Sequence, residues 1–288
     1  GYNHIMKIID FSVFLTSVLI ASVTSAQSNL SNDSREVAKS ISRTFEQVAE
    51  FISKLKAPEE SVFLLTHIGG WVNPDIEKIA RLCQEKGVAL VEDCAHSLGS
   101  LLNGKHTGLF GDAGVYSYYS TKAIFAGEGG VAVTNNEKIG GLLKDFTAYD
   151  RFKQKMPIGC NIRLSEMQAL MIFSVVNEYK TIIKNKSKIA EKYIEECEKA
   201  KIKYIDQNKN SNLGNYYKFT IISPNGNIDK VFPGIKTTTS KVYDYALGRN
   251  KEIPKRHLCL PIWYDLDNTI SDLSLIHISE PTRRYAIS

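Results

Sequence analysis

The stretch from Val91 to Thr134, which carries VEDCAHSLGS and then GLFGDAGVYSYYSTKAIFAGEGGVAVT, concentrates the residues able to do chemistry. Asp93, Ser117 and Lys122 fall at or near the carboxyl ends of apolar runs with strand character, and ligands of α/β sheets bind beyond those ends. A carboxylate at one strand end and a lysine one strand further on suit a cofactor with a basic ring nitrogen and an aldehyde. Pyridoxal 5'-phosphate has both. An acid against the pyridine nitrogen keeps it protonated, so that the ring can act as an electron sink; Asp93 is the candidate. A lysine there can hold the aldehyde as a Schiff base and, once displaced by a substrate amine, serve as a base; Lys122 is the candidate. Ser117 and the backbone N–H groups of its turn suit a phosphate. The glycine-rich segment Ala126 to Gly130 lets backbone pass close to a ligand or to the lysine loop.

Each of these residues also has a plain structural reading. An aspartate at a strand end can cap a helix, a loop lysine is usually solvated, and GEGG can be an ordinary turn. His96 can be a satisfied buried histidine, and Glu128 a surface carboxylate.

The elements that must position these groups read as an α/β domain. Apolar runs predict strands over Ser61 to Thr66, Val88 to Glu92, Gly114 to Tyr119 and Gly130 to Thr134, all short and apolar as buried parallel strands are. Helical periods predict helices over Asp33 to Leu55, Pro74 to Lys86 with Asn73 as cap, and Glu137 to Phe146. A long helical stretch follows from Ser165 to about Lys201, with Ser165-Glu166 as its start signal. Tyr216 to Ser223, the loop PNGN and the segment to Asp265 then read as a smaller α+β region.

Composition bounds the class. The chain has 288 residues, a formal charge of +5, 43% hydrophobic and 23% charged residues, which excludes disorder, collagen and coiled coil. The densest basic cluster, Lys180, Lys184, Lys186 and Lys188, is interleaved with Ile, Asn and Ser, and it reads as a solvated helix face rather than a nucleic-acid surface. Five widely spaced cysteines without a CxxC pair argue against a disulfide framework and a structural zinc site, and fit a cytoplasmic protein. Met6 to Ala26 has signal-peptide traits, but Asp10 interrupts its apolar run, so a buried strand and helix is expected there. Phe11 to Val23 is too short for a membrane span. Leu273 to Arg283, LSLIHISEPTR, resembles a translated sequencing adapter, and 273–288 is therefore set aside as a non-native tail.

The ordered motifs resemble the DegT/DnrJ/EryC1/StrS family of sugar aminotransferases. They are THIGG (Thr66 to Gly70), VEDCAHSLGS, GxxxGxFGDxxVYSYYSTK from Gly104, GEGG, and GCNIRLSEMQA (Gly159 to Ala169), with HLCLPIW (His257 to Trp263) as a weaker late match. The resemblance implies a fold-type I pyridoxal-phosphate transferase, with a mainly parallel sheet in the large domain and a small α+β C-terminal domain. It also implies a homodimer with a shared active site, a nucleotide-sugar substrate and an amino-acid donor. By motif match, Lys122 is the Schiff-base lysine, Asp93 the pyridinium partner, Ser117 a phosphate ligand, and Asn161 a ligand of the neighbouring subunit's phosphate. His96 stands where the family commonly has glutamine near the ring hydroxyl; a histidine can donate the same hydrogen bond while adding a charge that titrates. The family's dehydratase branch has histidine in place of the lysine, so Lys122 favours transamination over that alternative or a non-catalytic regulator. The family's phosphate loop of Gly-Thr or Gly-Ser is not seen, which makes the chain look like a fragment. Phe14 is the candidate ring stacker, and 27–56 matches poorly. The parse is 1–60 as partial large domain, 61–170 as cofactor-binding core, and 171–272 as connecting helix and small domain.

Overall fold

Alternating apolar residues along the central strands bury one face of a sheet under two helices, and that packing sets where the strand ends emerge. The computed structural model describes residues 9–11, 40–41, 45–147, 161–208, 212–222 and 257–266. Its main sheet has six strands: β1 (Ile9–Phe11), β2 (Ser40–Ile41), β3 (Val62–Thr66), β4 (Ala89–Asp93), β7 (Ala113–Ser117) and β8 (Gly130–Val133), in the order β1-β8-β7-β4-β3-β2. The pairs β2/β3, β3/β4 and β4/β7 are parallel, which places Thr66 beside Asp93 and Asp93 beside Val115.

Helices α1 (Phe45–Ser53) and α2 (Ile76–Lys86) cover one face. Val48 and Ile52 of α1 and Ile76, Ile79 and Cys83 of α2 pack on Phe63, Leu65 and Leu90. Behind β8 comes α3 (Glu137–Thr147), followed by α4 (Glu166–Val175) and, after a single 3-10 turn, α5 (Tyr179–Lys199). Ser165 caps α4 in a capping box with Gln168, as its start signal predicts.

The C-terminal strands build a separate sheet, β12 (His257–Leu260), β11 (Phe219–Ile222) and β9 (Lys203–Tyr204), packed on α5 through Ala190, Tyr193 and Cys197. A third sheet ties the later part of the chain to the loops of the main sheet: β10 (Asn212–Leu213) pairs with β5 (Leu101–Leu102), which pairs with β6 (Lys105–His106).

Several expectations are corrected. The strand 130–133 is antiparallel to β7, and β1 is antiparallel to it; a continuous apolar run carries no information on direction, which the tight turn around Lys122 decides. A single helix over 33–55 is not formed. Ser40–Ile41 pairs instead with Leu65 and Thr66, because an open sheet edge satisfies backbone groups that a helix would otherwise claim. Asn73 does not cap α2: its side chain accepts from the Asp75 N–H at 2.9 Å in a turn that precedes Ile76. The rest of the expected strand and helix over 11–23, the PNGN loop and the tail 273–288 lie outside the described residues.

One buried charge organises this core. Glu92 is 0% exposed, and its two oxygens accept from the backbone N–H groups of Gly108, Phe110 and Gly111, each at 2.7 Å, and from His67 Nε2 at 2.9 Å. Asp112 continues the clamp by accepting from the Leu90 N–H at 2.8 Å. The GLFGD motif is therefore a cradle for a strand carboxylate. Removing that charge leaves the donors stranded, so Glu92→Gln is expected to cost about 3–5 kcal/mol of stability, read as the shift in a urea unfolding curve; a loss under about 1 kcal/mol, the median for an exposed pair, would contradict this account.

Candidate active site

Beyond the carboxyl ends of β4 and β7 the structure brings together four of the residues singled out in the sequence. Asp93 ends β4, half-buried, with its Oδ1 accepting from the Ala95 N–H at 3.0 Å and its Oδ2 in a long 3.5 Å contact with Thr66 Oγ1. Burial raises its pKa, and the backbone hydrogen bond, His67 and Lys122 pull it back down. Ser117 ends β7, and its hydroxyl accepts from the Tyr119 N–H at 3.2 Å.

Lys122 sits in the turn that follows. That turn is closed by Lys122 N–H to Tyr119 O, Ala126 N–H to Tyr118 O, and Tyr118 N–H to Gly129 O, at 2.8 to 2.9 Å. Gly129 is required there: its φ is +145°, and a Cβ would stand 2.6 Å from Leu164 Cδ2. Burial lowers the Lys122 pKa to about 8, opposed by the charge of Asp93 and reinforced by that of Lys218.

His96, half-buried, stacks on Tyr217, with ring centroids 4.0 Å apart and planes at 21°. Its Nδ1 accepts from the Gly69 N–H at 3.2 Å, which leaves the proton of the neutral ring on Nε2. Burial first, then Lys122 and Lys218, lowers its pKa to about 3. The expected titrating charge is thus corrected: this histidine stays neutral across physiological pH.

Asn161 is exposed, and among the described residues no hydrogen bond joins it to this network; Phe14 lies outside the described residues. His67, Glu92 and Cys94 lie within 4.8 Å of one another, but the Glu92 oxygens are engaged as described, and burial holds the Cys94 thiol well above its usual range.

Sequence reading missed the other wall of the site. Tyr217 touches Thr121 Oγ1 at 3.0 Å and Lys122 Nζ at 3.5 Å through its hydroxyl. The segment that carries it is pinned to the loops after β3 and β4 by buried amides. Asn215 Nδ2 donates to the carbonyls of His96 and Leu98 at 2.8 and 2.9 Å, and its Oδ1 accepts from the Tyr217 N–H at 2.8 Å. Gln207 Nε2 donates to Gly69 O and Lys218 O at 3.1 and 2.9 Å. Gly70, at φ +92°, makes room: a Cβ there would lie 2.0 Å from Asn215 Oδ1. Lys186 also belongs to this wall. The solvated-face reading holds for Lys180, Lys184 and Lys188, which are exposed, but Lys186 is only 6% exposed.

A sequence model of the DegT/DnrJ/EryC1/StrS aminotransferase family matches residues 36–269. The GDP-perosamine synthase of Vibrio cholerae is 36% identical over 124 residues, which are 41% of this chain and 34% of that one; the chain spans about a third of that relative's length. Among solved structures, DesI in the presence of its TDP-sugar product superposes with a TM-score of 0.74 at 18% identity, over 97% of this chain and 82% of that one. The PLP-form of the putative sugar aminotransferase Spr1654 from Streptococcus pneumoniae gives 0.67 at 13% identity, over 82% and 72%. The expected α/β, fold-type I architecture is the observed one.

Lys186 provides a pH test of this wall. Burial lowers its pKa from 10.5 to about 7, so the unfolded chain holds the proton more tightly. Between about pH 7 and 10.5 the unfolded state binds more protons, and stability therefore rises with pH through that window. Wild-type stability minus that of Lys186→Met, taken from urea unfolding at each pH, is expected to climb across the window and to be flat below it.

Proposed function

The chain belongs to the DegT/DnrJ/EryC1/StrS aminotransferase family, and from that premise we propose that it moves an amino group, from an amino acid such as glutamate, onto a keto group of a nucleotide-linked sugar. The cofactor of this reading is pyridoxal 5'-phosphate, held by Asp93, His96, Ser117 and Lys122, with Asn161 reaching the phosphate of a neighbouring subunit. The observation that carries it is the placement of Asp93 at the carboxyl end of β4 beside the parallel strand β7, which ends at Ser117 and runs into the turn that holds Lys122; there the charge of Asp93 favours the ammonium form of Lys122 while burial opposes it.

The donor set fits the cofactor. Asp93 Oδ2, with only its long contact to Thr66, has acceptor capacity for a ring N–H. The Ser117 oxygen accepts from backbone, which leaves its own hydrogen for a phosphate oxygen. Neutral His96 offers Nε2–H to a ring hydroxyl. When bound, pyridoxal phosphate supplies an aldehyde for amines and a protonated ring that takes up the electron pair released at the substrate carbon. Lys122, with a pKa near 8, is a free amine often enough to accept that carbon's proton and return it. The likeness to GDP-perosamine synthase and to DesI with its TDP-sugar product supports a nucleotide-linked acceptor, and the PLP-form of Spr1654 supports the cofactor.

The chain works as a homodimer in this reading. Helix α4 has no buried residue and exposes Met167, Leu170, Met171 and Phe173, at 72, 63, 43 and 73%. An apolar patch of that kind marks an interface. The same helix is tied to the lysine turn, since Gln168 Nε2 donates to Glu128 O at 2.9 Å, so a partner on α4 would stand beside the site. In this reading 61–170 is the cofactor-binding core and 171–272 the connecting helix and small domain. A cytoplasmic location agrees with Cys83, Cys94, Cys197 and Cys259 being free and buried. Among the described residues no helix is long and apolar enough to cross a membrane.

Borohydride reduction after addition of pyridoxal phosphate is expected to leave a phosphopyridoxyl label on Lys122, located by peptide mass, and Lys122→Ala to lose both label and turnover. A folded dimer that takes no label would end this reading. The rate of cofactor capture by the free protein should fall as pH drops below about 8, because the ammonium form is not nucleophilic. Leu170→Asp with Phe173→Asp should shift the protein from dimer to monomer in light scattering; an unchanged mass would remove α4 from the interface.

A further inference from the structure

Tyr217 meets the Lys122 amine with both its ring and its hydroxyl. The Lys122 Nζ lies 4.6 Å from the ring centroid and 3.5 Å from the hydroxyl oxygen, which is also 3.0 Å from Thr121 Oγ1. The tyrosine is fixed in turn: its ring stacks on His96, and its N–H donates to Asn215 Oδ1, whose own amide is bound to the carbonyls of His96 and Leu98. The charges of Asp93 and Lys218 also act on the Lys122 amine, in opposite directions, and Lys186 and Lys218 face the same ring at 5.9 and 5.5 Å. Tyr217 differs from all of these in being neutral, since burial raises the pKa of its phenol and the hydroxyl keeps its proton.

A hydroxyl has one hydrogen and two lone pairs, whereas an ammonium only donates. While Lys122 is charged, the Tyr217 oxygen accepts from Nζ and its hydrogen turns to Thr121 Oγ1. Once Nζ has lost a proton it carries a lone pair, and the Tyr217 hydroxyl then donates to Nζ while accepting from the Thr121 hydroxyl. Reversing two hydrogens thus satisfies either form of the amine without moving a heavy atom. A carboxylate such as Asp93 favours the ammonium alone. The aromatic face likewise attracts the cation and not the neutral amine.

We propose that Tyr217 is a positioning residue for Lys122: its hydroxyl, coupled to Thr121, seats the free amine in both protonation states, and its ring face holds the ammonium. This inference deepens the aminotransferase reading and rests on it, because that reaction needs an amine that is base and acid by turns. The proton balance closes on Nζ, which takes one proton from the substrate carbon and later gives it back, while Tyr217 neither gains nor loses one.

The test is 13C NMR of the cofactor-free full chain carrying lysine labelled at Cε, with the Lys122 signal assigned by its loss in Lys122→Arg. Its titration gives the pKa of the amine and its relaxation gives the mobility of the side-chain end. In the wild type the Lys122 end is expected to be rigid on both sides of about pH 8. Tyr217→Phe keeps the ring and loses the hydroxyl, so the end should stay held below that pH and become mobile above it. Tyr217→Leu removes the ring as well, and should free the end at both extremes and lower the pKa by about one unit. Tyr217→Phe carries the test if Tyr217→Leu does not fold. A Lys122 as rigid in the folded variants as in the wild type overturns the proposal, as does a wild-type Lys122 already mobile above about pH 8. A tyrosine that merely supports the wall would not produce mobility that depends on pH. Borohydride labelling after addition of pyridoxal phosphate keeps the two ideas apart: wild type without label sinks the aminotransferase reading, whereas label present with Lys122 unaltered by the substitutions sinks the role of Tyr217 alone.

Discussion

Glu92 carries a charge with no access to water, and the ends of the central strands depend on how that charge is satisfied. Three backbone N–H groups from 108–111 and His67 from the end of β3 meet its two oxygens. A buried carboxylate is tolerated only when paired and hydrogen-bonded, so the loop that supplies the amides cannot drift without stranding it. The next residue in the strand, on the opposite face of the sheet, is Asp93. Fixing Glu92 thus fixes the height and direction of the acid that enters the site, and the parallel register of β3, β4 and β7 carries the same constraint to Thr66 and Ser117.

The second half of the site depends on neutral amides instead. Asn215 and Gln207 bridge backbone groups from segments more than a hundred residues apart, and both are buried. Their carbonyls and amino groups have few alternatives in that environment, which makes the docking of 212–218 on the loops 69–72 and 96–100 an all-or-none arrangement. Tyr217 stands at the end of that chain of contacts. It presents one ring to His96 and to three lysines, and its hydroxyl to Thr121 and Lys122.

Helix α4 shows a related tension at the surface. Its sequence reads as a good helix with an ordinary cap, yet it leaves four large apolar side chains in water. Its amino-terminal end is nevertheless held to the glycine turn around Lys122 through Gln168.

Much of the site was legible in the sequence for a simple reason. Asp93, Ser117 and Lys122 lie at the ends of, or just after, two neighbouring parallel strands, and a parallel strand followed by a turn places its last residues without long-range information. The strands over 62–66, 89–93 and 113–117, the cap at Ser165 and the helix ending at Lys86 are local in the same sense: apolar run length and capping chemistry determine them. The tertiary structure alone decided the rest. Strand 130–133 turned antiparallel, and 40–41 became an edge strand, because neighbouring strands offered hydrogen bonds that no local pattern encodes. Glu92 became a hub, although composition would leave a glutamate on the surface. Lys186 left the solvated face of its own helix, and Tyr217 reached Lys122 across 95 residues of chain. In each case the deciding term is burial of a polar or charged group against a distant partner, a free energy that exists only once the chain has closed around it.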